Sequence, residues 1–506
     1  VAATREAELE ARIRQLEATV NKLSSQLQQI SPPAGAAAGG SRGGAPGVST
    51  PSPTGGPSTT GSGDIGSPGT SVTPSAMGGP GAPGQSLPPN PPVSARFDSP
   101  PTLENRPGRV KFGPGFEIRT DDDEFILQFH NLTQFDFRGY QQGGQSPVHD
   151  TFTFPRQWFM FSGRVSKPFG YFVSLANAFD TVSLLDCFLD VTYDPRLQFR
   201  IGRYKTPFTY EFLVEPIQGL IIPERSLFFN NFGLNRDEGI MAYGRLFNNK
   251  FDYAVGIFNG ARNSFISTSD GKAVAGFINW RPFGDEENTL LENFNVGGSV
   301  YAANQFNLPQ PQVLRTAVPT NGNSTAGVPF LAFNNDVREA GDRALWDLHV
   351  AWFYRSLAII GEWGSGFQDY AHASNLSQRT HLPIQSFYVQ AGYFLTGETR
   401  SSVGTVKPLH PFDPRPGHFG LGAFELIGRY DYLNVGRQVF TDGLADPNIW
   451  SNNLYMTDVG LNWHLTQYLK IYFDWEHAVF GSPVQFAPGR RQLTSDLFLA
   501  RFQIYF

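Results

Sequence analysis

From Arg109 to the last residue of this 506-residue chain, apolar and polar side chains alternate with a period of two. That is the spacing of a strand with one face toward an apolar phase and the other toward water. The clearest run sets Phe125, Leu127, Phe129, Thr133, Phe135 and Phe137 against Gln128, His130, Gln134, Asp136 and Arg138. A membrane-spanning helix needs about 20 consecutive apolar residues; no such stretch occurs, and mean hydropathy is -0.27. A transmembrane barrel escapes that test, because only alternate residues face lipid and the average stays polar. A soluble all-β sandwich would alternate as well, but around an aliphatic buried face. Here aromatics make up 14% of the chain, with Phe 45 and Tyr 18, and recur near strand ends as girdles do at membrane interfaces. The predicted fold is therefore all-β, an antiparallel transmembrane β-barrel.

About sixteen strands are predicted, beginning near Phe125, Thr153, Tyr171, Leu184, Leu197, Gly239, Phe251, Ala273, Phe294, Arg343, Leu357, Gln385, Gly422, Met456, Leu469 and Leu497. Parity gives an independent check. The short links Lys167 to Gly170, Asp194 to Arg196, Asn248-Asn249, Arg355-Ser356 and Thr466 to Tyr468 fall on one side. The long links Gly139 to Phe152, Lys205 to Asp237, Asn304 to Asp342 and Ala478 to Asp496 fall on the other. Short periplasmic turns and long outer loops are the asymmetry of outer-membrane barrels. Thr396 to Leu421 breaks the rule, being long yet on the short-turn side. The link from Lys205 to Asp237 carries Phe208, Tyr210, Phe212, Leu213, Ile217, Leu220, Ile221, Ile222, Leu227, Phe228 and Phe229. It is too apolar to stand in water, so it is expected to pack on the inner wall or at a subunit interface.

Two further regions precede the barrel. In residues 1–30, Leu9, Ile13, Leu16, Val20, Leu23, Leu27 and Ile30 recur at alternating steps of four and three, the seam of a short α-helical coiled coil. Residues 31–108 are rich in Pro, Gly and Ser with hardly a large apolar side chain, so they are expected to form a disordered linker. Residues 109–506 form the barrel domain. The opening Val1-Ala2-Ala3 carries the expectation that an export signal has been removed, with the N-terminal region in the periplasm and the barrel in a bacterial outer membrane. The last strand alternates Phe498, Ala500, Phe502, Ile504 and Phe506, and Phe506 is expected to be read by the outer-membrane insertion machinery.

Lys+Arg number 39 against Asp+Glu 45, a formal charge of -6, so no basic excess exists to neutralise phosphates and no nucleic-acid partner is expected. One cysteine, Cys187, can form neither a disulfide framework nor a thiolate metal cluster. The 9 histidines are scattered without HExxH spacing, so no metal site or cofactor is expected. Neither a GxSxG elbow nor a Walker A loop occurs, and no enzyme is expected. Asp121-Asp122-Asp123 reads as a solvated rim ahead of a strand.

Several segments in this order resemble the phosphate-selective porin O and P family: FEIRTDDDEFILQFHNLTQFDFR from Phe116, IGRYKTPFTYE from Ile201, PERS from Pro223, FYVQAGYFLTGETR from Phe387 and GAFELIGRYDYLNV from Gly422. The resemblance implies a sixteen-stranded barrel assembled as a homotrimer in outer-membrane lipid, with the third loop folded inward and the segment from Thr396 to Leu421 entering the lumen. Lysine is sparse, confined to Lys22, Lys111, Lys167, Lys205, Lys250, Lys272, Lys407 and Lys470, which departs from the lysine-rich pores of phosphate-specific members.

The expected function is passive diffusion of small hydrophilic solutes with a modest preference for anions. The pore candidates are Arg156 and Arg164 on the second strand, Arg200 on the fifth, and Lys205, Arg225 and Arg236 on the inward excursion, since basic rings in a low-dielectric wall favour anions. Such arginines also pair with wall acids such as Asp186 and Asp190, and a neutralised pair selects little. The alternative is a structural tether, in which a largely plugged barrel anchors the linker and coiled coil to the cell wall.

Overall fold

Alternation forces each strand to find a neighbour on both edges, because unpaired backbone groups are costly in lipid. The computed structural model describes residues 107–113, 115–141, 148–178, 181–260, 262, 270–286, 289–317 and 327–506. The seam residues from Leu9 to Ile30, and the linker up to Arg106, lie outside the described residues. In chain order the strands are β1 (Gly108–Gly113), β2 (Gly115–Thr120), β3 (Ile126–Tyr140), β4 (Thr151–Ser166), β5 (Phe169–Ala178), β6 (Thr181–Asp194) and β7 (Leu197–Lys205). Then come β8 (Arg236–Leu246), β9 (Phe251–Phe258), β10 (Ala273–Trp280), β11 (Asn293–Asn307), β12 (Val313–Arg315), β13 (Pro329–Ala332) and β14 (Val337–Tyr354). The last are β15 (Leu357–His372), β16 (Arg379–Phe394), β17 (Ala423–Val435), β18 (Asn453–His464), β19 (Leu469–Ala487) and β20 (Arg490–Tyr505). Among the described residues three short α-helices, α1 (Tyr210–Leu213), α2 (Leu227–Phe232) and α3 (Gln438–Thr441), and a 3-10 turn at Ile217–Gly219 complete the set.

Eighteen strands share one sheet. With the β1-β2 hairpin set aside, the other sixteen pair antiparallel with their neighbours and close where β20 meets β3, Leu497 opposite Tyr140 through Tyr505 opposite Leu132. Each of the sixteen predicted strands has its counterpart. Below the join β3 changes partner: Phe116 to Arg119 of β2 pair with Phe129 to Ile126. The alternation sorts faces as expected. Gln134, Asp136 and Arg138 are buried inside, while Ile240, Val255, Val300, Leu348, Val389, Leu426 and Phe498 are exposed outside, where lipid would cover them. At the rims, indole N–H groups find acceptors: Trp352 donates to the Leu290 carbonyl at 2.8 Å and Trp463 to that of Leu421 at 2.7 Å, as interfacial tryptophans do. No described helix is long and apolar enough to cross a membrane.

The turns follow the parity argument. Asn248 and Asn249 sit at φ 55° and 66°, the left-handed region that asparagine tolerates, and Arg355 begins the tight β14-β15 turn. One link differs from its expectation. The stretch from Ala478 to Asp496 is not a loop, because β19 runs on to Ala487 and β20 starts at Arg490. Gly481, Ser482 and Pro483 interrupt the alternation, but they fall at a register shift between Val479 and Val484, where a bulge accommodates proline. The link from Asn304 to Asp342 likewise holds the β12-β13 hairpin.

Candidate functional site

The lumen is occupied by the 206–235 segment between β7 and β8. Its residues are buried along nearly the whole length, with Val214 at 39% exposure the accessible exception. The local sequence explains the turns inward. Thr209 accepts from the Phe212 amide to start α1, and Ser226 accepts from the Phe229 amide to start α2; Ser226 has the extended backbone usual for an N-cap, whereas Thr209 is held at φ 61°. Phe208, Tyr210, Phe212, Leu227, Phe228 and Phe229 are buried and supply the apolar contacts.

The barrel wall holds this loop from many sides. Glu362 on β15 accepts from the Tyr210 and Glu211 amides at 2.9 and 2.6 Å, and from the Tyr388 hydroxyl at 2.6 Å. Asp431 on β17 accepts from the Leu227 amide at 2.7 Å. On the far side Lys470 donates to the Leu220 carbonyl at 2.8 Å, Asn462 to that of Ile221 at 2.8 Å and Gln503 to that of Gln218 at 2.9 Å. The loop therefore crosses the full width of the barrel. From the short-turn rim, the 395–422 segment reaches up to meet it: a Cβ on Gly219 would lie 2.6 Å from the Gly404 Cα. Above it, the β12-β13 hairpin packs down, with the Arg315 amide donating to Asn231 at 2.9 Å.

The PERS tetrapeptide sits at the centre of this packing. The Pro223 carbonyl accepts from Arg501. The Glu224 carboxylate takes Arg156 at 2.7 Å, Arg138 at 3.0 Å and also Arg501. Burial alone would raise that carboxyl, but the three guanidinium groups hold it well below the usual carboxylate range. Arg225 donates to the Glu215 carbonyl at 2.8 Å, and Ser226 is the cap of α2.

The six pore candidates do not form one cluster. Arg156 meets Glu224. Arg200 makes a two-point pair with Asp190 at 2.8 and 2.9 Å and stacks on Phe188, and Arg236 meets Asp186 at 3.1 Å. Lys205 donates to the Phe212 carbonyl and Arg225 to that of Glu215, so neither of these two bonds ends on a carboxylate. Arg164 lies near the short-turn rim, opposite Ile126 and Gly170, and makes no ion pair among the described residues. Residues outside the six pore candidates matter more to the geometry: Glu224, Glu362, Asp431, Arg138 and Arg501. Period-two alternation marked Arg138 as inward, but only three-dimensional register reveals what it meets. Among the described residues, no group of His, Cys, Asp and Glu side chains could hold a metal.

A closed antiparallel ring with an apolar outside, a charged inside and a loop folded into the lumen is a transmembrane β-barrel of the porin class. The chain belongs to the phosphate-selective porin O and P family, whose model matches residues 129–479. It is 23% identical to Porin O of Pseudomonas aeruginosa over 394 residues, 72% of this chain and 85% of that one. It is 25% identical over 289 residues to an uncharacterized protein of Caulobacter vibrioides, a match that spans just over half, 56%, of each chain. Among solved structures, the in-vitro folded OmpT of Vibrio cholerae superposes with a TM-score of 0.46 at 8% identity, covering 76% of this chain and 100% of that one.

Proposed function

We propose that this chain is an outer-membrane channel for passive diffusion of small hydrophilic solutes, with a modest preference for anions, acting as a homotrimer with its N-terminal region in the periplasm. The observation that carries this reading is the segregation of charge. Ionised side chains line the inside of a ring whose outside is apolar, an arrangement suited to a polar path through lipid. Arg164, which makes no ion pair among the described residues, supports the anion preference, while Arg156, Arg200 and Arg236 are neutralised by Glu224, Asp190 and Asp186.

Burial of the 206–235 loop favours a second reading, a barrel that is plugged and serves as an anchor for residues 1–108 at the cell wall. Single-channel recording in a planar bilayer separates the two: discrete conductance steps are expected, and a silent membrane containing folded protein would favour the anchor. Under a KCl gradient the reversal potential is expected to report anion preference. Arg164→Glu, Lys205→Glu and Arg225→Glu should each shift it toward cations. Cation selectivity of the unaltered protein, or no shift in any of the three, would remove the anion assignment.

A further inference from the structure

Away from the lumen, the outside of the wall carries a hollow. Period two puts Trp346 of β14, Ser365 of β15, Gln385 of β16 and Asn434 of β17 on the face that also shows Leu348, Trp363, Phe387 and Tyr430. The register sets the four in one row: Trp346 is opposite Ser365, Ser365 opposite Gln385, and Gln385 opposite Asn434. Ser365 is the short member of that row, and Trp363 and Phe367 flank it two positions away on its own strand, so the surface sinks over it. The hollow measures about 370 Å³, with Trp346, Phe367, His381, Pro383, Gln385 and Asn434 around it, within the roughly 300–1,000 Å³ of small-ligand sites. Its height follows from its neighbours. β14 and β15 meet at the short turn of Arg355-Ser356, and Ser365 lies beyond the middle of β15, toward the long loops. The row on its short-turn side is Leu348, Trp363, Phe387, Tyr432 and Tyr455, aromatic as rows at a membrane–water interface are. On its long-loop side stands an ionised pair, His381 opposite Asp369. The hollow therefore sits at the level of lipid headgroups.

We propose that this hollow binds the sugar headgroup of a glycolipid in the leaflet on the long-loop side. The lipid whose tails cover Leu348, Trp363 and Phe387 carries its headgroup over the hollow, so the occupant follows from continuity with the lipid-facing wall. The chemistry of the headgroup follows from the lining. Trp346 and Phe367 offer flat apolar surface against which the C–H face of a pyranose packs, and Gln385 and Asn434 offer amide donors and acceptors that match hydroxyls. The exposed Gln385 side chain makes no hydrogen bond among the described residues, and Asn434 accepts a long one from Asn452 at 3.4 Å, so both keep bonding capacity. A bare phosphate or ammonium headgroup would find no free counter-charge. His381 is committed to Asp369 at 3.0 Å, and Arg379, farther out on β16, packs on Phe306 and does not line the hollow. A soluble sugar could use the same groups but lacks the tails that hold a headgroup in place. The site stands outside the pore, so it is the same whether the lumen conducts or is plugged.

Native mass spectrometry of the full chain, folded in a phosphocholine detergent, tests the site without requiring ion flow. Two lipids are titrated separately: an acylated glucosamine disaccharide without phosphate, and phosphatidylethanolamine with matched acyl chains. The glycolipid is expected to bind about tenfold or more tightly than phosphatidylethanolamine. Gln385→Leu and Trp346→Leu, both on the outward face, should each cut that advantage to about threefold or less, whereas Leu426→Ala, on the same face but outside the hollow, should leave it unchanged. Should either variant fail to give a heat-modifiable barrel, Ser365→Leu, which fills the hollow from its floor, takes its place. Equal binding of the two lipids, or an advantage that these variants retain, overturns the proposal. Binding of the deacylated disaccharide as tightly as the glycolipid overturns the lipid assignment, because the hollow would then serve a soluble sugar. Glycolipid binding with a silent bilayer would refute the channel and leave the site standing.

Discussion

Gly219 and Gly404 meet backbone to backbone inside the barrel, and the contact is asymmetric. A Cβ on Gly219 would lie 2.6 Å from the Gly404 Cα, whereas one on Gly404 would meet nothing within 4 Å. Gly219→Ala must therefore push the two segments apart, at a cost of about 1–3 kcal/mol, while Gly404→Ala should stay within about 0.5 kcal/mol. Urea unfolding of the detergent-folded barrel is the measurement; equal midpoints for the two variants would contradict the contact. Such pairings mark the limit of what the sequence discloses about single residues. Alternation assigns a face but not a partner. Asp190 stands opposite Arg200 in the β6-β7 register, whereas Glu224 reaches Arg156 from 68 positions away and no local spacing announces it.

Among elements, strands were the easiest to read and the loop anchors the hardest. Each strand carries its own period, so its existence is local information. The β19-β20 hairpin was shortened in the reading because a bulge breaks the period without ending the strand. The anchoring of α1 and α2 was illegible, because Glu362 and Asp431 are single carboxylates on distant strands. The charge on α1 carries a pH dependence. Burial first, and the neighbouring Glu362 second, raise the Glu211 carboxyl well above the usual range. Its folded value then exceeds the unfolded one, and the docked loop binds the extra proton. The stabilisation is complete below the unfolded value of about 4.3 and is lost as pH rises through the raised value. Glu211 accepts from the Ser226 amide at 2.6 Å and its hydroxyl at 2.7 Å, so amide exchange at Phe229 and Asn230, corrected for intrinsic rate, should accelerate with rising pH. Glu211→Gln should flatten that profile; the same slope in both proteins would exclude Glu211 as its source.

At the scale of the whole molecule, the change of sequence pattern between residues 1–108 and the barrel predicts that the barrel works independently of what precedes it. Leu16→Asp or Leu23→Asp places a charge in the heptad pattern of residues 1–30 and should leave heat-modifiable migration and single-channel steps of the barrel unchanged; loss of the steps would make the N-terminal region part of the pore. The barrel itself closes between residues at opposite ends of the domain: Gln134 meets Gln503 across 369 positions and Arg501 meets Glu224 across 277. Pairings so distant in sequence are slow to form, so the join between β3 and β20 is the natural line of parting of the cylinder. Glu224 touches Arg138 on one edge of that line and Arg501 on the other, and so works as a bolt drawn across a door from within. One carboxylate thus adds to the toughness of the seam and to the seating of the loop at once: whatever draws the bolt also loosens the wall at the place where it was last sewn shut.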